Sequence, residues 1–327
     1  MSFLGVSAEP GTRTTARVPI GSYADGSAVE IPVAVIRGRH EGPTLYLQAG
    51  LHGDELTGID ICRRVLRSLD PAQLSGTLAS VPLANPPAHR SRTRGAVTEE
   101  RGPIDANRVF PGSAGGLMTE RIVDVLFREF VSQADLALDL HSALDGCTIA
   151  PFVYIDPDDD ESGTLERRES AAKAFGAPYL YYKGRGQKLG TSDMTRSLRS
   201  QADAAGVPSF SAEMGESRRV TKSFLPIGTR GVHNVLRHLG MEQGEVEAPS
   251  DQRAFRTITL VHAMAGGPLS WLVELEDEVT AGQPIAEISD LFGQSVEKLA
   301  SPVDGFILRK MLHGSVATGG EVAWIAS

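Results

Sequence analysis

The sequence has little of three features, and each shortage argues against a class of protein. Its two cysteines, Cys62 and Cys147, lie far apart and form no CxxC pair, so we expect neither a disulfide framework nor a thiolate zinc site. Acidic residues outnumber basic ones, 41 to 32, and the formal net charge is -9. A nucleic-acid-binding protein usually carries a basic field instead. No apolar run approaches the ~20 residues that a membrane-spanning helix needs.

The N-terminus also lacks the basic start and apolar stretch of a signal peptide. Together these absences predict a cytoplasmic protein that has neither a nucleic-acid partner nor a membrane partner. The acidic net charge does not exclude an anionic substrate, because a few arginines and a metal ion can set the field inside a cleft.

What the sequence does contain is typical of a globular protein, with 41% hydrophobic and 22% charged residues. Its 327 residues exceed what one small core requires, which predicts two domains, or one large domain with an appendage. A polar stretch without periodicity, residues 241–254, is the expected boundary. We therefore predict one domain over residues 1–245 and a second over residues 253–327.

The first predicted domain has the pattern of an α/β fold. Residues 1–40 indicate strands and turns, and from Pro43 onward short apolar runs alternate with segments of helical periodicity. Such alternation is typical of strands that are each followed by a helix, and it predicts a mixed, largely parallel sheet flanked by helices.

The second predicted domain has short strands separated by glycine turns and no convincing helix. Two of its segments, residues 278–289 and 315–326, share a valine, a glycine turn and then an alternating apolar strand. An internal repeat of this kind predicts a small, quasi-symmetric all-β domain of the sandwich type.

The strongest chemical signal is the motif GLHGDE, where an apolar strand gives way to a helix. Its His52 and Glu55 are separated by two residues, so one turn of backbone can bring both onto one ion. DLHS places His141 at the end of a second strand, flanked by Asp139 and Ser142 as groups that could orient its imidazole. Two histidines and a glutamate with a fourth open position describe a catalytic zinc site.

Hydrolysis at such a site needs a base for the attacking water, and SFSAEMGE offers two carboxylates. Glu213 lies at the end of a buried strand just before a glycine, and we favour it. Glu216 is the competing choice, but it follows the glycine turn and is expected to face solvent.

A polar stretch between the two histidine motifs could bind an anion. It holds Asn85, Arg94, Asp105, Asn107 and Arg108. A guanidinium can bind both oxygens of a substrate carboxylate, and another can stabilise the oxyanion that forms when water adds to a carbonyl. A single arginine in a loop is more often only a solvated charge, so the argument depends on the whole set.

The order of these motifs resembles that of one known family. HGDE, NPxA, DxNRxFPG, DLHS and ExG follow one another as in the succinylglutamate desuccinylase and aspartoacylase family, which belongs to the zinc carboxypeptidase-like superfamily. The bacterial deacylase subgroup is the most similar, because its members carry a C-terminal β domain like the one predicted here.

The resemblance implies a zinc-carboxypeptidase-like fold and assigns roles to individual residues. The implied roles are zinc ligands for His52, Glu55 and His141, general base for Glu213, and carboxylate binders for Asn107 and Arg108. Arg94 is the implied oxyanion stabiliser, because it follows Asn85 by nine residues as the family's arginine follows its NP. Arg101 is the alternative, since the stretch before DANR is longer here than in aspartoacylase.

The function that the resemblance implies is hydrolysis of the amide bond of a small N-acylated amino acid by metal-activated water, with one zinc ion per chain. A carboxypeptidase or another carboxylate-recognising amidase is the alternative, because it shares the metal and the arginines. A non-catalytic zinc-containing binding protein is a third hypothesis, although it would not need Glu213. The sequence leaves open the acyl group, the amine and the oligomeric state, and it allows a homo-oligomer.

The C-terminal segments SPVDGFI and VATGGEVAWI are similar to biotinyl or lipoyl carrier domains. Carriers present a lysine at a hairpin tip beside methionine or aspartate, and Lys298 lacks these neighbours. We therefore expect no covalent attachment, and we expect this domain to pack over the mouth of the active site or to gate it.

Overall fold

The structure is a computed structural model, and it describes residues 2–144, 146–156, 163–184 and 194–327. Strands within these ranges are β1 (Thr12–Ser22), β2 (Ala28–Arg37), β3 (His40–Ala49), β4 (Ser75–Val81), β5 (Leu136–His141), β6 (Cys147–Ile155), β7 (Tyr179–Tyr182), β8 (Ser209–Glu216), β9 (Arg253–Phe255), β10 (Ile258–His262), β11 (Gly267–Trp271), β12 (Glu278–Val279), β13 (Pro284–Ser289), β14 (Ser295–Ala300), β15 (Gly305–Met311), β16 (Ser315–Val316) and β17 (Glu321–Ala326). The α-helices are α1 (Thr57–Ser68), α2 (Pro86–Ser91), α3 (Met118–Glu129), α4 (Leu165–Phe175), α5 (Leu198–Ala204) and α6 (Leu225–His238).

A mixed sheet of 13 strands forms the centre of the molecule, as the sequence predicts. Its main order is β1-β2-β4-β3-β5-β8-β6-β15-β17-β10, and β4, β3, β5 and β8 run parallel to one another. The apolar runs of these four strands are buried because helices cover both faces of the sheet. Successive residues point to opposite faces, so Leu45 and Leu47 contact one core while Tyr46 contacts the other.

The helices divide between the two faces according to their apolar stripes. On one face, Ile61 and Val65 of α1 pack with buried residues of α4 and α6, and on the other α3 contacts β1 and α5 contacts β8. The two residues of α1 lie four positions apart, which places them on one side of a helix. The result is a three-layer α/β arrangement around the parallel strands.

The C-terminal region is all-β, as predicted, and it joins the central sheet. β15 pairs antiparallel with β6 and with β17, while β14, β13, β11 and β16 form a separate four-stranded sheet. The two segments of the internal repeat, residues 278–289 and 315–326, fold alike, since β12 and β13 correspond to β16 and β17. The limits of the two domains stay a prediction, because strands from both predicted domains share one sheet.

Two details differ from the sequence-based expectation or fall outside the described residues. The polar stretch from His89 to about Gly116 has no periodicity and is expected to form a loop, but its start belongs to the short helix α2, whose six residues are too few to show a helical period. Residues 191–206 have a helical pattern, with Thr191 or Ser192 as the expected N-cap. Those two residues lie outside the described ranges, and α5 begins at Leu198 with Ser197 as its cap. None of the described helices is both long enough and apolar enough to cross a membrane.

The turn after β3 packs closely against α2, which generates a stability prediction. A Cβ atom on Gly53 would lie 2.0 Å from the carbonyl carbon of Ala88, and the Gly53 amide donates to the Thr93 carbonyl. We expect Gly53→Ala to lower the free energy of unfolding by about 2–3 kcal/mol, because backbone rather than a flexible side chain must move. Urea unfolding followed by circular dichroism measures the change.

Gly115→Ala is the matched control, since a Cβ there would meet no atom within 4 Å. Its stability should stay within about 0.5 kcal/mol of the wild type. Equal stabilities for the two variants would contradict the close packing of the turn.

Candidate active site

The carboxyl ends of three parallel strands meet at one edge of the sheet and collect the predicted site residues there. His52 and Glu55 lie in the turn between β3 and α1, and His141 is the last residue of β5. His141 is in register with Glu213 of the neighbouring strand β8. Ligands of open α/β sheets commonly bind at this edge.

The structure brings His52, Glu55 and His141 together, with one potential ligand atom from each lying within 4.8 Å of the others. The Nδ1 atoms of His52 and His141 lie 2.7 and 2.8 Å from the two carboxylate oxygens of Glu55. All three residues are buried. The arrangement directs two imidazole nitrogens and a carboxylate at one point, as a metal site requires.

Carboxylates hold the outer nitrogens of both imidazoles. Nε2 of His52 lies 3.0 Å from Asp105, and Nε2 of His141 lies 2.6 Å from Asp139, which had been expected to orient that ring. A proton on each Nε2 satisfies these carboxylates and leaves the Nδ1 lone pairs free, which is the tautomer that binds a metal. The donor set therefore fits a divalent ion such as zinc.

A chain of buried hydrogen bonds across β3 and β5 fixes the ring of His141. The Tyr46 hydroxyl donates to the Gln48 side chain at 2.7 Å, and Gln48 donates to Asp139 at 2.9 Å. Gln48 and Asp139 are in register on the adjacent strands. Ser142, the other expected orienting group, contributes its backbone amide to Glu55 at 3.1 Å instead of its hydroxyl.

The carboxyl groups of the site have pKa values shifted in opposite directions. Burial opposes the charge of Glu55, but His52 and His141 hold its pKa well below the usual value. Burial likewise opposes the charge of Asp105, yet the hydrogen bond from His52 and its charge keep that pKa low. Burial raises the pKa of Glu213 to about 7, with the charge of Glu55 adding to the rise. Glu213 is therefore the carboxylate of the site with the strongest tendency to take a proton.

Of the two candidate oxyanion stabilisers, Arg94 lies beside His52, Glu55 and His141, whereas Arg101 does not. The Nε of Arg94 donates to Asp105 at 2.9 Å, and its Nη1 lies 3.4 Å from Glu55. Arg101 is exposed and lies outside the cavity. Asn85 is used differently from the sequence-based expectation, since its side chain caps α2 by accepting from the Ala88 amide.

Asn107 and Arg108 lie on a single-turn helix that brings them to the same site. The Asn107 side-chain oxygen accepts from the Leu198 amide at 2.9 Å, and the Asp105 side chain accepts from the Asn107 amide. Nη1 of Arg108 donates to the Asn107 carbonyl at 2.8 Å. These bonds hold both residues in place at the wall of the cavity.

A cavity of about 310 Å³ connects these groups, and its size suits a small molecule. Every predicted site residue lines it: His52, Glu55, Arg94, Asn107, Arg108, His141 and Glu213. The Glu213 carboxylate has no hydrogen-bond partner in the described part of the chain. Glu216 lies outside the cavity and pairs with Arg219 at 2.9 Å.

Sequence analysis missed further residues of the cavity wall. They are Tyr154, Lys183, Met194, Arg199, Ser211, Arg309 and Trp324, together with the apolar residues Ala143, Leu144 and Ile149. Arg199 pairs with Asp156 at 2.8 Å and stacks on Tyr154, with 4.0 Å from its guanidinium carbon to the ring centre. A charged residue on the buried side of a short helix or inside an apolar strand was the available signal for Arg199 and Arg309.

Comparison with known proteins agrees with this geometry. Residues 41–239 match the family described as succinylglutamate desuccinylase/aspartoacylase catalytic domain. The chain is 32% identical over 305 residues to N-alpha-acetyl-L-2,4-diaminobutyric acid deacetylase of Halomonas elongata, a match that spans 91% of this chain and 86% of the relative.

Solved structures share the fold over nearly the whole chain. A product-bound ectoine utilization protein from Ruegeria pomeroyi aligns with a TM-score of 0.84 at 26% identity, over 96% of this chain and 94% of the other. A succinylglutamate desuccinylase/aspartoacylase from Rhodobacter sphaeroides aligns with a TM-score of 0.82 at 27% identity, over 96% and 95%. On its motifs, its fold and these matches, the chain belongs to the succinylglutamate desuccinylase/aspartoacylase family.

Proposed function

We propose that this protein is a zinc-dependent deacylase that hydrolyses the amide bond of a small N-acylated amino acid. One observation carries the proposal: the Glu213 carboxylate, which has no hydrogen-bond partner among the described residues, shares a small cavity with His52, Glu55 and His141. A set of metal-binding side chains beside a carboxylate with a raised pKa is what metal-assisted hydrolysis requires. The relative from Halomonas elongata, named as a deacetylase of an N-acetylated amino acid, supports the reaction class.

In this proposal His52, Glu55 and His141 hold one zinc ion per chain. Zinc bound there would polarise the acyl carbonyl and lower the pKa of a water molecule. Asp105 and Asp139 support the assignment, because each accepts a hydrogen bond from an imidazole Nε2–H and so favours the tautomer whose Nδ1 is unprotonated.

The remaining steps belong to side chains of the protein. Glu213 takes a proton from the attacking water and passes it to the leaving amine. Arg94, held by Asp105, offsets the negative charge that develops on the carbonyl oxygen. Asn107 and Arg108 bind the α-carboxylate of the substrate and so position the scissile amide.

A carboxypeptidase or another carboxylate-recognising amidase would use the same groups on a larger substrate. The cavity volume of about 310 Å³ favours a small acyl group over a peptide. We also expect the protein to act in the cytoplasm, which stays a prediction from the sequence.

The first prediction concerns the metal. Purified protein should contain one zinc ion per chain, and a chelator should abolish deacylation, with activity restored by added zinc. His141→Ala should lower zinc content and reduce activity by at least about 100-fold, since loss of even an outer-shell partner costs 10–100-fold. Elemental analysis and release of free amine measure the two effects.

His262→Ala is the control, because His262 is exposed and lies outside the cavity. Full activity in metal-free protein, or equal behaviour of the two histidine variants, would contradict the metal site.

The second prediction concerns the base. Glu213→Gln should reduce kcat by about 100- to 10,000-fold, because the amide cannot accept a proton, while zinc content stays unchanged. Glu216→Gln, outside the cavity, should keep activity within about threefold of the wild type. If the wild type and Glu213→Gln both hold zinc and neither hydrolyses any substrate, the result would instead support the non-catalytic binding protein.

The third prediction concerns the substrate. N-acetyl amino acids should be hydrolysed faster than their carboxamides and faster than dipeptides, because Arg108 binds the free carboxylate beside a small acyl pocket. Arg108→Met should raise KM for N-acetyl amino acids by roughly 10- to 100-fold, because loss of a charged hydrogen bond weakens binding by about that factor. Steady-state kinetics with Arg101→Met as control measure this, and equal turnover of acids and carboxamides would exclude the role of Arg108.

A further inference from the structure

A second concave site lies in the groove between α1 and α6. Its volume is about 510 Å³, and among the described residues it shares no lining residue with the active-site cavity. Arg64 and Ser68 of α1 line one side, and Arg230, His233 and Arg237 of α6 line the other. Residues three and four positions apart lie on one face of a helix, so each helix presents its polar side chains to the groove as a single row.

A hydrogen bond joins the two rows. The hydroxyl oxygen of Ser68 lies 2.9 Å from Nε2 of His233, and Nδ1 of His233 lies 2.7 Å from the carboxylate of Glu242. Both ring nitrogens of His233 are therefore engaged within the protein. The groups that remain for a ligand are the guanidinium groups on either side of this contact.

Arg230 is the arginine of the groove that lacks a partner. It is half-buried, and no nitrogen of its guanidinium makes a hydrogen bond or an ion pair with a residue of the described ranges. Its Nε is occluded, whereas Nη1 and Nη2 stay accessible. These two nitrogens form the end of the guanidinium fork, and a free fork can bind two oxygens of one anion.

The charge of the groove favours an anion, although the whole chain has a formal net charge of -9. Three arginines and one glutamate line it. The glutamate, Glu247, lies 3.2 Å from Nη1 of Arg237, and its side chain is 65% exposed. Arg64 pairs through Nε with Asp60, which lies outside the groove and is shared with Arg63. The lining side chains thus carry two positive charges in excess.

This excess matches a dianion of the phosphate type. A phosphate group carries about two negative charges at neutral pH and presents several acceptor oxygens, whereas a carboxylate carries one charge and two oxygens. A phosphate group also occupies only part of a groove of about 510 Å³, so the groove has room for an organic substituent on the phosphate.

A packing role for Arg230 is the competing explanation. Leu225 and Pro226 line the same groove, and an arginine stem can cover apolar surface while its charged end stays in water. Arg63 is a solvated arginine for comparison: it is 67% exposed, lies 3.2 Å from Asp60 and lies outside the groove. Arg230 differs because it has no acidic partner among the described residues and shares a concave site with two other arginines, whose mutual repulsion a bound anion would offset.

We propose that the groove between α1 and α6 is a second binding site, which takes a phosphate group, either free or esterified to a small metabolite. Nη1 and Nη2 of Arg230 bind two phosphate oxygens, and the charges of Arg64 and Arg237 strengthen the attraction. The site is separate from the active site, and it does not depend on the proposed deacylase function.

Binding to the zinc-loaded protein tests the site, with inorganic phosphate and glycerol phosphate as calorimetric probes and acetate for comparison. We expect saturable binding of both phosphates, with acetate binding at least about tenfold more weakly. Arg230→Met should weaken phosphate binding by about 10- to 100-fold, and Arg230→Lys should give an intermediate affinity. Tighter binding of glycerol phosphate supports an esterified ligand, and equal affinities support free phosphate.

Two control variants locate the bound phosphate. Arg63→Met, on the same helix as Arg64 but outside the groove, should bind phosphate as the wild type does. Arg108→Met removes an anion-binding group of the active site, and binding in the groove should survive it. Phosphate should raise the Tm of the wild type and of Arg108→Met but not that of Arg230→Met, because only a folded protein with an intact site gains from binding.

Three results would overturn the proposal. The first is the absence of saturable phosphate binding by the wild type. The second is an affinity that Arg230→Met and Arg230→Lys leave unchanged, or that Arg63→Met weakens as much as Arg230→Met does. The third is a loss of binding confined to Arg108→Met, which would place the phosphate in the active site. Circular dichroism of each variant shows that a change in affinity does not come from unfolding.

Discussion

The parallel register of β3, β5 and β8 is the constraint on which the site depends. It places Gln48 beside Asp139 and His141 beside Glu213, so the groups that orient the His141 imidazole and the candidate base come from neighbouring strands. Main-chain hydrogen bonds hold neighbouring strands about 4.8 Å apart in a fixed register. Side chains on these strands are therefore positioned more precisely than side chains on loops. A shift of one residue in this register would turn Asp139 and Glu213 to the opposite face of the sheet.

Burial of so many charges is tolerable because nearly all of them are paired. Glu55 lies between two imidazoles, and Asp105 contacts both His52 and Arg94. An unpaired buried ion would cost several kcal/mol, whereas these pairs satisfy one another and keep the site rigid. Glu213 has no hydrogen-bond partner among the described residues, and burial raises its pKa to about 7, so it takes a proton more readily than Glu55 or Asp105.

The C-terminal β region is part of the same architecture. Because β15 pairs with β6, it brings Arg309 and Trp324 to the cavity that the parallel strands begin. The expectation that this region packs over the mouth of the site or gates it stays a prediction. Lys298 lies within β14, on a strand and away from the hairpin tip where a carrier would present its lysine.

The sequence by itself determined the α/β class, the repeat in the C-terminal strands and the family, because periodicity and motif order are local properties of the chain. It also predicted His52 and Glu55 as a pair, because residues three positions apart can be brought together by one turn of backbone. The tertiary structure alone decided that Asp105 holds His52, that Arg94 and not Arg101 reaches the site, and that Arg309 closes the cavity. Those contacts join segments tens to hundreds of residues apart, and only strand pairing and loop packing bring them within hydrogen-bond distance.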